Sequence, residues 1–225
     1  NMKTDLKEYS AHSHNVEQPV LCTHFDKCAW LCDLLSRLSS RPKQYYKAIK
    51  ALAKPKARDI VLDIGGGTGS IAQYFIPDVR KVVVLDPSQK MLNRIRAKRL
   101  EAIVGTAQHL EFDDKTFDLI YCVDSFHHFT NGYAPEEYRK TIHRSIQEIL
   151  RVLKNDGTLI VIEFNRLHLG GKLIDFMENK LAHMGSVFYS PKEFMNLFSE
   201  YGTAITIKNF NPYTYLAKII KGSVE

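Results

Sequence analysis

The sequence predicts an α/β fold, a seven-stranded and mostly parallel sheet with helices on both faces. Three observations carry this. Short runs rich in Val, Ile and Leu alternate with stretches whose apolar residues recur at helical spacing. The first such run, Asp59-Ile-Val-Leu-Asp-Ile64, passes straight into a glycine-rich turn, Gly65-Gly-Gly-Thr-Gly69. The last two runs are separated only by Phe210-Asn-Pro212, which is too short for a parallel crossover, so they should close the sheet as a C-terminal antiparallel hairpin.

The elements follow in order. Residues 1–24 read as a polar arm and residues 25–225 as a single domain, since 225 residues leave no room for a second full one. Phe25, Cys28, Ala29, Cys32 and Leu35 form one apolar helical stripe, and a second helix over Lys43 to Ala53 turns Tyr46, Ile49 and Leu52 inward before Pro55 ends it. These are the N-terminal lid helices. After strand 59–64 and the glycine turn, a helix runs to about Phe75. Strand Lys81 to Leu85 ends at Asp86-Pro87, and Ser88 caps a helix carrying Met91, Leu92 and Ile95. Strands 102–104 and 117–123 precede a helix from about Pro135 to Leu153. Asn155-Asp-Gly157 then turns into strand 158–164. A helix over Pro191 to Tyr201 leads to the final strands, 204–209 and 213–220.

Composition narrows the function classes. Hydrophobic content of 44% and charged content of 25% exclude a disordered chain. No apolar run reaches bilayer length, so no membrane span is expected. The polar start lacks the cationic end and apolar core of a secretory signal, which predicts a cytoplasmic location. Asn1 precedes Met2 and is expected to be an addition to the natural chain. The net charge of +6 is uneven, with basic runs over Arg41 to Arg58 and Arg80 to Arg99. Neither run interleaves aromatics at base-stacking spacing, so both are read as solvated helix faces, with RNA kept as the alternative partner. Nothing indicates an oligomeric state.

Two features carry chemistry. In an open α/β sheet a ligand binds beyond the carboxyl ends of the strands, where Gly65, Gly66, Gly67 and Gly69 allow close backbone approach. Their spacing, with Asp63 just ahead and Ser70 after, fits G-x-G-x-G rather than the nicotinamide-type G-x-G-x-x-G. Asp86, at the end of the second strand, can accept hydrogen bonds from both hydroxyls of a ribose.

Asp63-Ile-Gly-Gly-Gly-Thr-Gly69 resembles motif I of the class I S-adenosylmethionine (SAM)-dependent methyltransferases, which have a Rossmann-like fold. Leu85-Asp-Pro-Ser88 resembles their ribose-binding strand end. The segment from Gly105 to Asp118 is similar to their adenine loop and fourth strand, and Val123-Asp-Ser-Phe-His-His-Phe129 to the end of that strand. Leu150-Arg-Val-Leu-Lys-Asn-Asp-Gly157 resembles the approach to strand five. The subgroup it is most similar to is the small-molecule type related to the ubiquinone/menaquinone-biosynthesis methyltransferases, with Phe25 to Asp33 similar to the helix that covers the cofactor. The resemblance implies SAM as cofactor and S-adenosylhomocysteine as product. It places Asp63, Gly65, Gly66, Gly67, Gly69, Asp86, Pro87, Met91, Thr106, Ala107, Gln108 and Asp124 at the cofactor. Departures are Cys32, where the family often has tyrosine, and Thr106, where it often has an aspartate for the adenine amino group. Adenine is then expected to use backbone near Ala107 and the Gln108 side chain. The quinone enzymes usually lack the His127-His128 pair, which points to another small-molecule acceptor.

SAM carries its methyl on a sulfonium, so alignment of a nucleophile and exclusion of water can supply most of the catalysis. A base is needed only for a nucleophile that must lose a proton. His127 and His128 are the candidate bases, against the alternative that one packs locally and the other is exposed. Asp33 and Tyr189 are weaker candidates for the lid and acceptor wall. The region from His168 to Ser190, with Met177, Met184, Phe188 and Tyr189, is expected either to shape the acceptor pocket or to be core. No metal is expected: Cys22, His24, Cys28 and Cys32 lack a standard zinc spacing, and a cysteine on an apolar stripe is commonly core. Asn211-Pro-Tyr213, in the last hairpin, is turn chemistry. Methyl transfer to a small molecule is the first reading; RNA methylation and SAM binding without transfer are the alternatives.

Overall fold

Seven strands form one sheet in the computed structural model, which describes residues 30, 34, 38–181 and 183–222. They are β1 (Ile60–Ile64), β2 (Lys81–Asp86), β3 (Leu100–Val104), β4 (Phe117–Val123), β5 (Leu153–Phe164), β6 (Ala204–Asn211) and β7 (Thr214–Ile220). Their order across the sheet is β3-β2-β1-β4-β5-β7-β6. The first five are parallel, with Val61 opposite both Val82 and Leu119. β7 inserts antiparallel between β5 and β6, pairing Thr158 with Ile220. The switch in direction rests on the tight turn, where the Asn211 side-chain oxygen accepts from the Tyr213 and Thr214 N–H groups at 3.0 and 2.9 Å. Pro212, which has no N–H to satisfy, fits that turn.

Both faces are covered, because the central strands are apolar on both sides. On one face α1 (Arg41–Ala53) buries Pro42, Tyr45 and Ile49 over Phe75 and Tyr121. On the other, α3 (Tyr138–Val152) buries Ile142, Ile146, Ile149 and Val152 at helical spacing, and, after the short α4 (Leu169–Asp175), α5 (Pro191–Phe198) adds Phe194 and Phe198. α5 starts at a capping box: Ser190 Oγ accepts from the Glu193 N–H at 3.3 Å and Glu193 Oε2 accepts from the Ser190 N–H at 2.8 Å. The cations of α1 lie on its solvent face, with Lys43, Lys47 and Lys50 exposed. Among the described residues no helix is long and apolar enough to cross a membrane.

Three elements differ from expectation. The segment after the glycine turn is no α-helix but a 3-10 turn, Ala72–Phe75. Gly69 sits at φ +69° and Pro77 offers no N–H, so only one tight turn fits between them. The helix behind Ser88, α2 (Gln89–Leu92), stops after one turn. Continuing it would stack Lys90, Arg94 and Lys98 as like charges at i, i+4 spacing. β5 begins at Leu153, absorbing the expected turn as an irregularity with Asp156 at φ +59° and a register shift against β4. The arm, every residue of the first apolar stripe, and Cys22, His24 and Asp33 lie outside the described residues. Trp30, Leu34 and Leu38 are helical and exposed.

Candidate cofactor and acceptor site

The glycine turn leaves β1 at the carboxyl edge of the sheet. Gly65 has φ +71°, and a Cβ there would lie 2.5 Å from the Ser125 Cβ; a Cβ on Gly66 would lie 2.5 Å from the Asp63 Cγ. Both positions are therefore kept bare by the protein's own atoms, and of the four glycines only Gly65 lines the adjacent cavity. The N–H groups of Gly65 and Gly66 go to the Leu85 carbonyl, at 2.7 and 3.2 Å, so these two donors are satisfied within the protein. Beneath it Asp63 is buried and accepts from the Tyr121 hydroxyl at 2.9 Å. Burial raises its pKa to about 8, more than the Tyr121 hydrogen bond lowers it.

Asp86 closes β2 with its carboxylate fixed by two backbone groups: Oδ2 accepts from the Gly67 N–H at 2.9 Å and Oδ1 from the Ser88 N–H at 2.8 Å. Ser88 Oγ accepts from the Met91 N–H at 3.1 Å, which is the expected N-cap and brings Pro87 and Met91 to the cavity wall. Thr106, Ala107 and Gln108 line the next stretch. The Gln108 amide donates to the Phe129 carbonyl, so its N–H is directed at the protein.

Asp124 stands at the other end of the cavity, just past β4, at φ +50°. A non-glycine residue in that conformation is strained and is held only where its surroundings fix it. The holders are Tyr45, whose hydroxyl donates to Asp124 Oδ2 at 2.9 Å, and Arg41, 3.6 Å from the same oxygen and donating to the Tyr45 hydroxyl at 2.9 Å. The other oxygen, Oδ1, is buried without a hydrogen-bond partner. Burial and the Glu163 charge lift the Asp124 pKa to about 6, against Tyr45 and Arg41.

The histidine pair divides. Residues 126–128 form a 3-10 turn, and His128 lines the cavity while His127 does not. His127 is 2% exposed, stacks on Phe188 at 4.4 Å and directs Nδ1 at Glu163 Oε2, 2.6 Å away. Burial disfavours its charged form, but Glu163 and Glu178 outweigh this and lift its pKa to about 10. His128 is pushed well below the ordinary range, by burial and then by the His127 charge.

Asp63, Gly66 and Gly67 thus stand behind the lining, whereas Gly69 lines a separate cavity with Thr68, Arg94 and Leu100. Gly65, Asp86, Pro87, Met91, Thr106, Ala107, Gln108 and Asp124 line it. Sequence reasoning missed Ser125, Phe129, Asn131 and Tyr133 on the wall and Tyr45 behind Asp124. A polar-aromatic stretch immediately after a strand end, Ser125 to Tyr133, is the signal that marks the first four. None of Met177, Met184, Phe188 and Tyr189 lines this cavity. Phe188 is core, Tyr189 packs edge-on to Phe126, and Met177 is 52% exposed.

Residues 62–161 match the family profile of a methyltransferase domain. The chain is 32% identical over 176 residues to the demethylmenaquinone methyltransferase of Thermotoga maritima, covering 73% of this chain and 72% of that one. It is 31% identical over 118 residues to an uncharacterized methyltransferase of Bacillus subtilis, YcgJ, covering 49% of this chain and 43% of that one. The crystal structure of a SAM-dependent methyltransferase from Thermotoga maritima, described as a possible histamine N-methyltransferase, superposes with a TM-score of 0.68 over 88% of this chain and 98% of that one, at 21% identity.

Proposed function

This chain belongs to the class I SAM-dependent methyltransferases related to the ubiquinone/menaquinone-biosynthesis enzymes, and we propose that it transfers the sulfonium methyl of SAM to a small-molecule acceptor reaching the cavity beside His128. In this reading the ribose hydroxyls donate to Asp86, whose carboxylate is already oriented by Gly67 and Ser88. Pro87 and Met91 flank the adenosine, and adenine lies along Thr106, Ala107 and Gln108. The methionine end lies over Gly65, with its ammonium at Asp124.

The observation that carries this is the single cavity running from Asp86 to Asp124 and His128, with one buried carboxylate oxygen, Asp124 Oδ1, lacking a partner. A buried carboxylate oxygen without a hydrogen bond is costly, and a cationic ligand removes that cost. The acceptor's lone pair forms a bond to the methyl carbon as the S–CH3 bond breaks. The bonding pair stays on sulfur and the product is S-adenosylhomocysteine. The neutral sulfide is a good leaving group, so the chain's own contribution is alignment and exclusion of water. Of the two candidate bases His128 is the one that lines the cavity, which supports it as the group beside the acceptor. The relatives' names support a small-molecule acceptor, and the exposed cations of α1 give nucleic acid no built site.

Calorimetry with SAM tests the cofactor half of the proposal; absence of binding by the intact protein overturns it. Incubation with methyl-labelled SAM and a fractionated native extract tests the other half. Label is expected in a low-molecular-mass fraction. Label in RNA would replace the acceptor class, and binding without label in any fraction would leave a SAM-binding protein that transfers nothing.

A further inference from the structure

We propose that His127, His128 and Glu178 hold a divalent transition-metal ion behind the acceptor end of the cavity. One ligating atom from each, two imidazole nitrogens and a carboxylate oxygen, lies within 4.8 Å of the others. His127 Nε2 stands 3.5 Å from Glu178 Oε2, and His128 Nδ1 stands 3.9 Å from the same oxygen. Atoms bonded at about 2.1 Å to one ion, at tetrahedral or octahedral angles, stand about 3.0–3.5 Å apart. The three groups are therefore close to the separation an ion would impose.

Two further observations point to a ligand. His127 Nε2 and Glu178 Oε2 are both buried and neither has a hydrogen-bond partner, although they face each other. In addition, His127 is oriented as metal-bound histidines are. Its other nitrogen meets the Glu163 carboxylate at 2.6 Å, Glu163 Oε1 accepts from the Phe126 N–H at 3.1 Å, and Phe188 stacks on the ring. In the charged His127 the Nε2 proton faces Glu178; where a metal replaces that proton, a carboxylate behind Nδ1 holds the tautomer whose Nε2 lone pair meets the ion and raises its basicity toward it.

The chain also builds the frame that holds Glu178. It lies in a π-helical turn, Phe176–Leu181, a rare form that is frequent at functional sites. Asn179 and Ser186 clasp each other, the amide donating to the Ser186 carbonyl at 2.7 Å and accepting from its N–H at 2.8 Å. The Val187 N–H donates to the His127 carbonyl at 2.9 Å, closing the segment over the histidines. His128 Nδ1 accepts from Asn131 Nδ2 at 3.0 Å and has Ser186 Oγ at 3.1 Å. Metal binding would take that lone pair and turn both donors outward. It would also displace any proton on His127 Nε2 to solvent.

Two nitrogens and one carboxylate select borderline ions such as zinc or iron(II) over magnesium and calcium, which prefer all-oxygen shells. Two carboxylates, Glu163 and Glu178, also balance the charge of a dication. The ion would tie the segment after β5 to the turn after β4, and its remaining positions would be open to water or an acceptor oxygen.

The test is titration of the full, chelator-treated chain with Zn2+ by calorimetry and with Co2+ by visible absorption, in the absence of SAM. One ion per chain is expected, with the d–d bands of a nitrogen–oxygen shell. Glu178→Gln keeps the side chain's shape and removes the anionic ligand, and should weaken both metals at least tenfold while a cooperative thermal melt reports an intact fold. Absence of binding by the unaltered chain overturns the proposal, and so does equal binding by Glu178→Gln. Thiolate-to-cobalt charge-transfer bands would place the metal on Cys22, Cys28 and Cys32 instead and overturn it as well. Should Glu178→Gln fail to fold, His128→Asn carries the same comparison. Because no SAM is present, the outcome is independent of the methyl-transfer reading.

Discussion

The two ends of the cavity are built by different means. The end at β1 and β2 is made of backbone and close sequence neighbours: the turn over Gly65–Gly69 donates to Leu85 and Asp86, and Asp86 in turn accepts from Ser88 two residues on. The end at β4 is made of side chains drawn from four elements, with Tyr45 from α1, His127 and His128 from the turn after β4, Glu163 from β5 and Glu178 from the π-helical turn. Backbone geometry at the first end leaves few residues free to vary. At the second end no backbone pattern selects the side chains, so its chemistry is set by which of them the fold brings together.

The sharpest way to break this comparison is at its best-defined carboxylate. Asp86→Ala removes the acceptor for two backbone N–H groups and, on the proposed function, for the ribose, and is expected to weaken SAM by about 2–3 kcal/mol, roughly 30- to 150-fold in Kd by calorimetry. A loss below about fivefold would mean that the ribose is held elsewhere. Next in size is packing. Gly66→Ala places a methyl 2.5 Å from the Asp63 Cγ and 2.7 Å from the Val84 Cγ1, in a position with no room to give. It is expected to cost about 1–3 kcal/mol, read as a fall in Tm, whereas Met177→Ala, at a half-exposed position on the acceptor-side segment, should change stability by about 0.5 kcal/mol or less. Equal effects would erase the contrast between the two ends.

The same contrast explains what could be read in the chain. The seven strands, the antiparallel hairpin, the Ser88 cap and the line from Gly65 to Gln108 follow from local signals: apolar runs, turn residues and spacing. The length of the helix after the turn did not, because the sequence shows a helical pattern while Gly69 and Pro77 leave room for one turn only. At the other end, Tyr45 and Asp124 are 79 residues apart, and His127 and Glu163 are 36 apart. No periodicity links such residues; only the sheet order brings β4 and β5 side by side and lays α1 across them. Met177 was legible as apolar, but nothing local said that it would face solvent.

A smaller effect separates the ends by pH. Asp63 titrates at about 8 in the folded chain, raised by burial, against about 3.9 when unfolded. Between those values the folded chain holds the extra proton. The stability it contributes is therefore complete below about pH 4 and is lost as pH rises toward 8. In the absence of SAM, Tm should fall by a few degrees between pH 6 and 8.5, and Asp63→Asn, which carries no titrating proton, should flatten that slope. An unchanged slope in the variant would assign the pH dependence to another group.

The smallest change is at the opposite end. Tyr45→Phe keeps the ring, which stacks on Phe210 at 5.3 Å, and removes only the hydroxyl that donates to Asp124 Oδ2. Arg41, half exposed and 3.6 Å from that oxygen, then holds the carboxylate alone. A single hydrogen bond to a carboxylate that is partly compensated in this way is worth about 1 kcal/mol, so SAM affinity should fall by roughly fivefold. The direction of the loss matters more than its size. 5′-Methylthioadenosine has the adenosine and sulfur of SAM but no ammonium, so with the ammonium at Asp124 its affinity should be the same for Tyr45→Phe and the unaltered chain. A parallel fall for both ligands would remove Asp124 from the methionine end and leave its strained backbone and unpaired oxygen to serve the acceptor instead.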